Sequence, residues 1–209
     1  MTQKQPIDAI DRRLSVAPMM DWTNRHCRFF HRLLAPDALL FTEMVTAEAI
    51  LHGDVEKLLG HDPAEHPLAL QLGGSNPDRL AKATRIAASH GFQDINRNVG
   101  CPSDRVQSGR FGACLMAEPD LVAECVAAMQ AETDLLVTIK CRIGIDDMDE
   151  EAGLDLFVDA LGAAGVRVFY VQARRAWVKG LSPEDNRDIP PLNCARARRL
   201  AARRPDLMI

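Results

Sequence analysis

The sequence carries no strong charge of either sign. Its 209 residues hold 25 Lys and Arg against 29 Asp and Glu, a formal net charge of -4. A nucleic-acid binder that works through a globally basic surface is excluded, so any RNA contact has to come from a local patch. Metal-ligand spacing and CxxC pairs are missing too: Cys27, Cys101, Cys114, Cys125, Cys141 and Cys194 lie scattered. A zinc site is therefore not expected, and free thiols fit a cytoplasmic protein. There is no apolar leader, and no apolar run approaches the roughly 20 residues of a membrane helix, which points to a soluble chain. No internal repeat, low-complexity linker or complete phosphate-loop fingerprint is present. All six histidines precede position 91. An acid or base on the later strands then has to be another residue type.

What is present is a 47% hydrophobic chain, long enough for one core but short of the roughly 250 residues of a complete eight-unit barrel. Short apolar runs bounded by turn residues predict strands at Leu14–Met20, Leu39–Val45, Leu68–Leu72, Asp94–Val99, Leu135–Ile143 and Val166–Val171. Between them, Trp22–Leu34, Asn76–His90, Pro119–Glu132, Glu150–Ala164 and Asn193–Arg204 have helical composition, each opened by a cap-type residue or a proline. Strict alternation implies parallel strands covered on both faces, hence an α/β fold, either doubly wound or a TIM-type (β/α) barrel. Polar and glycine-rich residues cluster after each strand, at Asp21–Thr23, Gly73–Ser75, Gly100–Ser103, Arg142–Gly144 and Ala173–Trp177. Barrel enzymes place their sites there, which favours the barrel. Leu207–Ile209 reads as the start of a seventh strand, and residues 1–13 as a flexible leading segment before a barrel over 14–209.

Several residues could carry chemistry. Cys101 stands just past a strand between Gly100 and Pro102; it is either a proton donor or a small buried thiol of the ordinary kind. Asn96 and Asn98 share a side-chain direction and can present two amides to a ligand, while Arg97 points the other way, toward the helices. Lys140 lies in the apolar strand Val137–Cys141, where an inward ammonium needs an anionic or electron-rich partner and an outward one reaches solvent. Gln71 can bond the edge of a flat heterocycle or a neighbouring backbone group. Arg and Lys concentrate between residues 167 and 204, and Arg174, Arg175, Trp177, Lys179, Asn186 and Arg187 share one long loop. Basic residues around an aromatic suit RNA phosphates, and equally a solvated loop with a packed Trp.

Taken in order, Ala17-Pro18-Met19-Met20-Asp21-Trp22-Thr23, Gln71-Leu72-Gly73-Gly74, Asn98-Val99-Gly100-Cys101-Pro102-Ser103, Val106-Gln107-Ser108-Gly109 and Lys140-Cys141-Arg142-Ile143-Gly144 resemble the tRNA-dihydrouridine synthases. Arg25-His26-Cys27-Arg28, Thr42-Glu43-Met44 and the Gly180–Leu192 segment resemble the A-type branch, which reduces D-loop uridines at tRNA positions 20 and 20a. The resemblance implies an FMN-linked oxidoreductase barrel, NADPH as reductant, tRNA as partner, a monomeric state and a following helical tRNA-binding domain. By the same resemblance Pro18, Met19, Met20, Gln71, Lys140 and the position of Gln172 meet the FMN. Cys101 is the general acid, and Asn98, Glu184, Asn186 and Arg187 contact the RNA.

Three departures qualify it. Gln172 stands where the family usually has a flavin-contacting histidine, Arg97 where an apolar residue is usual, and the chain stops before strand seven and the loops that hold the FMN phosphate. Two competing readings follow: another FMN-barrel pyrimidine oxidoreductase, or a tRNA-binding remnant without flavin. The basic loop favours RNA over the first, whereas Gln172 favours the second.

Overall fold

The computed structural model describes residues 6–103 and 109–209, so Val106, Gln107 and Ser108 of the motifs above lie outside the described residues. Six strands carry the fold: β1 (Ser15–Val16), β2 (Leu39–Thr46), β3 (Leu68–Gly73), β4 (Asp94–Val99), β5 (Leu136–Arg142) and β6 (Phe169–Gln172). They form one sheet in the order β1-β2-β3-β4-β5-β6. A doubly wound sheet reverses its strand order at a switch point, whereas a TIM-type barrel adds each strand beside the last. Sequential order therefore assigns the incomplete TIM-type (β/α) barrel class. The helices are α1 (Arg25–Leu34), α2 (Ala47–His52), α3 (Val55–Leu59), α4 (Pro77–Ala88), α5 (Pro119–Gln130), α6 (Ala152–Ala163), α7 (Asp185–Asp188) and α8 (Cys194–Arg203). No helix among the described residues is long and apolar enough to cross a membrane.

The chain divides into two compact units, residues 1–96 with 128–137 and residues 97–127 with 138–209. In the first, β1 is shorter than its apolar run predicts. Pro18 has no N–H for a ladder, and the chain turns at once, with the Met19 carbonyl accepting from the N–H groups of Trp22 and Thr23. Asn24 then caps α1, its Oδ1 accepting from the backbone of His26 and Cys27 at 3.0 and 3.1 Å. β2 and β3 pair in parallel with an irregularity between Phe41 and Met44. There the Thr42 hydroxyl accepts from the Gln71 N–H at 3.1 Å, standing in for a ladder carbonyl. Leu39, Leu40, Leu68, Leu70, Leu72 and Leu80 fill the core.

Charged residues fix this unit from inside. Arg28 is buried on α1 and pairs with buried Glu65 at 2.5 Å, while Phe29, Phe30, Leu33 and Leu34 of the same helix face outward. Arg12 donates to both oxygens of the fully buried Asp94 at 2.8 Å. Within the leading segment, Arg12 is held by Asp94 and Ile10 is buried.

In the second unit β5 and β6 pair in parallel, Lys140 opposite Tyr170 and Arg142 opposite Gln172. Met208 makes a parallel bridge with Val168, its carbonyl accepting from the Phe169 N–H at 2.9 Å. The predicted start of a seventh strand is therefore in place. Arg196, 1% exposed, donates to the carbonyls of Glu150 and Glu151 and pairs with Asp155 at 2.5 Å. Arg199 pairs with Glu151, Arg203 with Asp155 and Asp159, and Arg204 with Asp159 and Asp206. Arg196, Arg199, Arg203 and Arg204 are thus matched by acids within and beside α6 and at Asp206. Arg97 is 0% exposed, and among the described residues its three guanidinium nitrogens find no oxygen or nitrogen acceptor, only the thiol of Cys125 nearby. Burial pushes its pKa down, opposed by the nearby thiols of Cys125 and Cys114.

Candidate active site

Each unit contributes residues singled out by the sequence. In the first, the Pro18–Met20 turn after β1 is clamped by Thr23, whose hydroxyl accepts from the Met19 N–H at 3.0 Å. Asp21 follows with a φ of 64°, a left-handed conformation that aspartate tolerates better than most residues. Pro18 and Met19 are half-buried, and Met20 is 47% exposed. Gln71 is 1% exposed, and its amide nitrogen donates to Asn96 Oδ1 at 2.9 Å. The carbonyl of Asn96, expected to face a ligand beside Asn98, is thereby engaged with Gln71.

In the second unit the residues after β4 form a fixed elbow. Asn98 Oδ1 accepts from the N–H groups of Gly100 and Cys101 at 3.1 and 3.0 Å, an Asx-type turn encoded by an asparagine two residues before a glycine. The Cys101 carbonyl accepts from Ala113 N at 2.9 Å. Its half-buried thiol lies 3.5 Å from the Ser103 hydroxyl.

Lys140 and Arg142 lie two apart on β5 and so on one face. Lys140 Nζ donates to Gln172 Oε1 at 3.5 Å, its one hydrogen bond among the described residues. Burial, then the Arg142 charge, pushes the Lys140 pKa down to about 8, against the pull of Cys141 and Cys101. Arg142 is 3% exposed. Its Nε donates to the Gly100 carbonyl at 3.2 Å, and one terminal nitrogen to the carbonyls of Arg175 and Asn186 at 3.3 and 2.9 Å. Burial lowers its pKa to about 10, and the charge of Cys101 opposes that shift. Both cations thus lie within electrostatic range of the Cys101 sulfur.

The loop after β6 divides its polar residues sharply. Arg174 donates to the carbonyls of Asp188 and Pro190, and Arg175 pairs with Glu150 at 3.1 Å, so these two cations serve the protein itself. Glu184 and Arg187 are exposed on either side of Asn186, which is 0% exposed. Trp177 is 37% exposed. The structure thus brings Cys101, Asn98 and Arg142 together, joins Lys140 to Gln172, and turns Asn186 inward. Sequence reasoning passed over Arg142 as a part of the site. Its signal was an arginine ending an apolar strand on the same face as Lys140. No group of three or more His, Cys, Asp or Glu able to hold a metal occurs among the described residues.

With this geometry in view, the chain was compared with known proteins. The sequence model of the family described as Dihydrouridine synthase (Dus) matches residues 15–208. A tRNA-dihydrouridine(20/20a) synthase of Xanthomonas axonopodis pv. citri is 61% identical over 209 residues, covering 100% of this chain and 63% of its own length. A protein of the same name from Vibrio parahaemolyticus is 59% identical over 189 residues, covering 90% of this chain and 58% of its own. The chain thus spans about three fifths of the length of these curated relatives. Among solved structures, 2,3-dimethylmalate lyase superposes with a TM-score of 0.53 at 14% identity, covering 92% of this chain and 61% of that one. At that identity the likeness is one of fold alone.

Proposed function

The chain belongs to the dihydrouridine synthase family, and on that footing we propose that it forms part of an FMN- and NADPH-dependent enzyme that reduces uridine to 5,6-dihydrouridine in the tRNA D-loop, in the cytoplasm. The observation that carries this reading is the Cys101 elbow, fixed through its backbone by Asn98, Arg142 and Ala113. Reduction of the uracil C5–C6 double bond needs a hydride on one carbon and a proton on the other. Cys101 is the proton donor. Lys140 and Arg142 stand near the sulfur that carries the negative charge after donation. The Asn98 and Arg142 bonds to the elbow hold the sulfur at one place.

The residues fit a flavin. Lys140 is an ammonium whose one bonded partner among the described residues is an amide oxygen, and it makes no salt bridge among them. A ring that gathers negative charge on reduction matches such a group. In the first unit Pro18, Met19, Met20 and Gln71 are proposed to meet the ring; in the second, Lys140 and Gln172. When bound, FMN supplies the hydride, replenished from NADPH. The substrate base has to leave its stack to be reduced. Asn98 lies beside the sulfur for contact with it, and Glu184 and Arg187 face outward for contact with the tRNA.

Gln172 supports one second reading, a flavin-free tRNA-binding remnant. Glutamine still accepts from Lys140 but carries no charge of its own, so weaker flavin binding is expected. The visible absorption spectrum of the purified chain, taken after addition of excess FMN and gel filtration, separates the two. Retained flavin absorption is the expected result. A colourless protein whose buried cysteines stay protected from alkylation would establish the remnant instead.

A further inference from the structure

The family resemblance places Asn186 on the RNA, yet its side chain has no surface to offer. It is fully buried, and its polar atoms are engaged within its own loop. Oδ1 accepts from the Trp177 N–H at 2.8 Å, and Nδ2 donates to the carbonyls of Trp177, Leu181 and Ser182 at 2.9, 3.2 and 3.1 Å. The asparagine closes residues 177–186 into a ring, a task that needs an acceptor and two donors on a short stem. To reach RNA it would have to leave these bonds behind.

Its backbone looks the other way. The Asn186 carbonyl accepts from Arg142, and the same guanidinium donates through Nε to the Gly100 carbonyl. That carbonyl belongs to the peptide bond that enters Cys101. The planar fork of an arginine fixes the spacing between the groups it bonds, as a flexible ammonium does not. Cys101 is then held by three backbone bonds: Arg142 on the carbonyl before it, Asn98 on its own N–H, and Ala113 on its own carbonyl. The first of these leads to Asn186.

We infer that Asn186 is a positioning residue for Cys101, acting through Arg142, and is not a contact for RNA. The inference rests on the reading of Cys101 as the proton donor. It deepens that reading by making the loop that bears exposed Glu184 and Arg187 one mechanical piece with the reacting thiol. RNA bound to those two side chains presses on a loop whose closure sets the Cys101 elbow.

The test is alkylation of the 209-residue chain with iodoacetamide, resolved by peptide mass spectrometry, without FMN or tRNA. Cys27 of the first unit serves as the reference rate, and protected Cys125 and Cys141 report that the fold is intact. Asn186→Ala is expected to raise the Cys101 rate about three- to tenfold with Cys27 unchanged, because a loosened thiol gains access. Arg142→Lys is expected to do the same. In tRNA reduction, Asn186→Ala is expected to lower kcat by about tenfold or more with KM within about twofold, as a displaced reacting group does. An unchanged Cys101 rate in a folded Asn186→Ala protein overturns the inference, as does a raised KM for tRNA with kcat intact. Should Cys125 and Cys141 become reactive in Asn186→Ala, the Arg142→Lys rate decides by the same criterion. Failure of the wild-type chain to reduce tRNA would count against the proposed function, and the alkylation rates would still decide this point.

Discussion

Arg97 and Arg142 are both buried arginines of the second unit, on consecutive strands, and their surroundings differ in kind. Arg142 meets three backbone carbonyls, from Gly100, Arg175 and Asn186. Arg97 meets no carbonyl among the described residues, where the thiols of Cys125 and Cys114 temper its charge. Burial of a guanidinium is therefore not in itself a sign of function. What separates the two is whether the desolvated donors find acceptors, since an unmet buried donor destabilises by about 1–3 kcal/mol. Arg142 ties loops together at the candidate site, whereas Arg97 puts a charge against the helices with no ion pair among the described residues.

Substitution should break this contrast open in opposite directions. The largest effect is expected from Arg142→Met, which leaves buried carbonyls unpaired and is expected to destabilise the protein by about 3–5 kcal/mol. A fall in the urea midpoint at constant slope is the corresponding observation. Arg97→Met should move the other way, raising stability by about 1–4 kcal/mol, because an unbranched apolar side chain closer to its length replaces a buried charge that has no ion pair among the described residues. If both substitutions shifted the midpoint downward, Arg97 would have a partner of real value and the contrast would be wrong. Arg203→Ala sets the lower bound of the scale. Its pairs with Asp155 and Asp159 are partly exposed, so a change below about 1 kcal/mol is expected in the same titration.

The two arginines also show how far the sequence could be read. Arg97 was legible as a misfit from strand alternation alone, since Asn96 and Asn98 take one face and leave residue 97 to the other. The helix starts at Asn76 and Asn193 were legible for the same local reason, each asparagine oxygen accepting from the backbone N–H three residues on, whereas the first helix was drawn from Trp22 although Asn24 is its cap. The short helices α2 and α3 were not, because one or two turns leave too little periodicity to detect. β1 was drawn too long because its apolar run continues through Pro18, where the ladder cannot.

At the site, Cys101 and Lys140 stood out as polar residues at the ends of apolar strands. The roles of Arg142 and Asn186 did not, because both act through backbone carbonyls, which every residue carries and no side-chain pattern marks. Arg142 reaches carbonyls 33 to 44 positions away. Arg174 and Arg175 were expected among the outward basic residues of the RNA loop. Each instead finds acceptors in its own unit, and Lys179 and Arg187 are the exposed cations of that segment.

The most direct test of the whole account is the mass of the D-loop fragment from unmodified tRNA after incubation with the chain, FMN and NADPH, compared with Cys101→Ala. A gain of two hydrogens on uridine with the wild-type protein, lost or reduced by about 10²-fold or more in the variant, is the predicted result for a general acid held in place. Equal reduction by both proteins would contradict the account, because the proton would then come from a group other than Cys101.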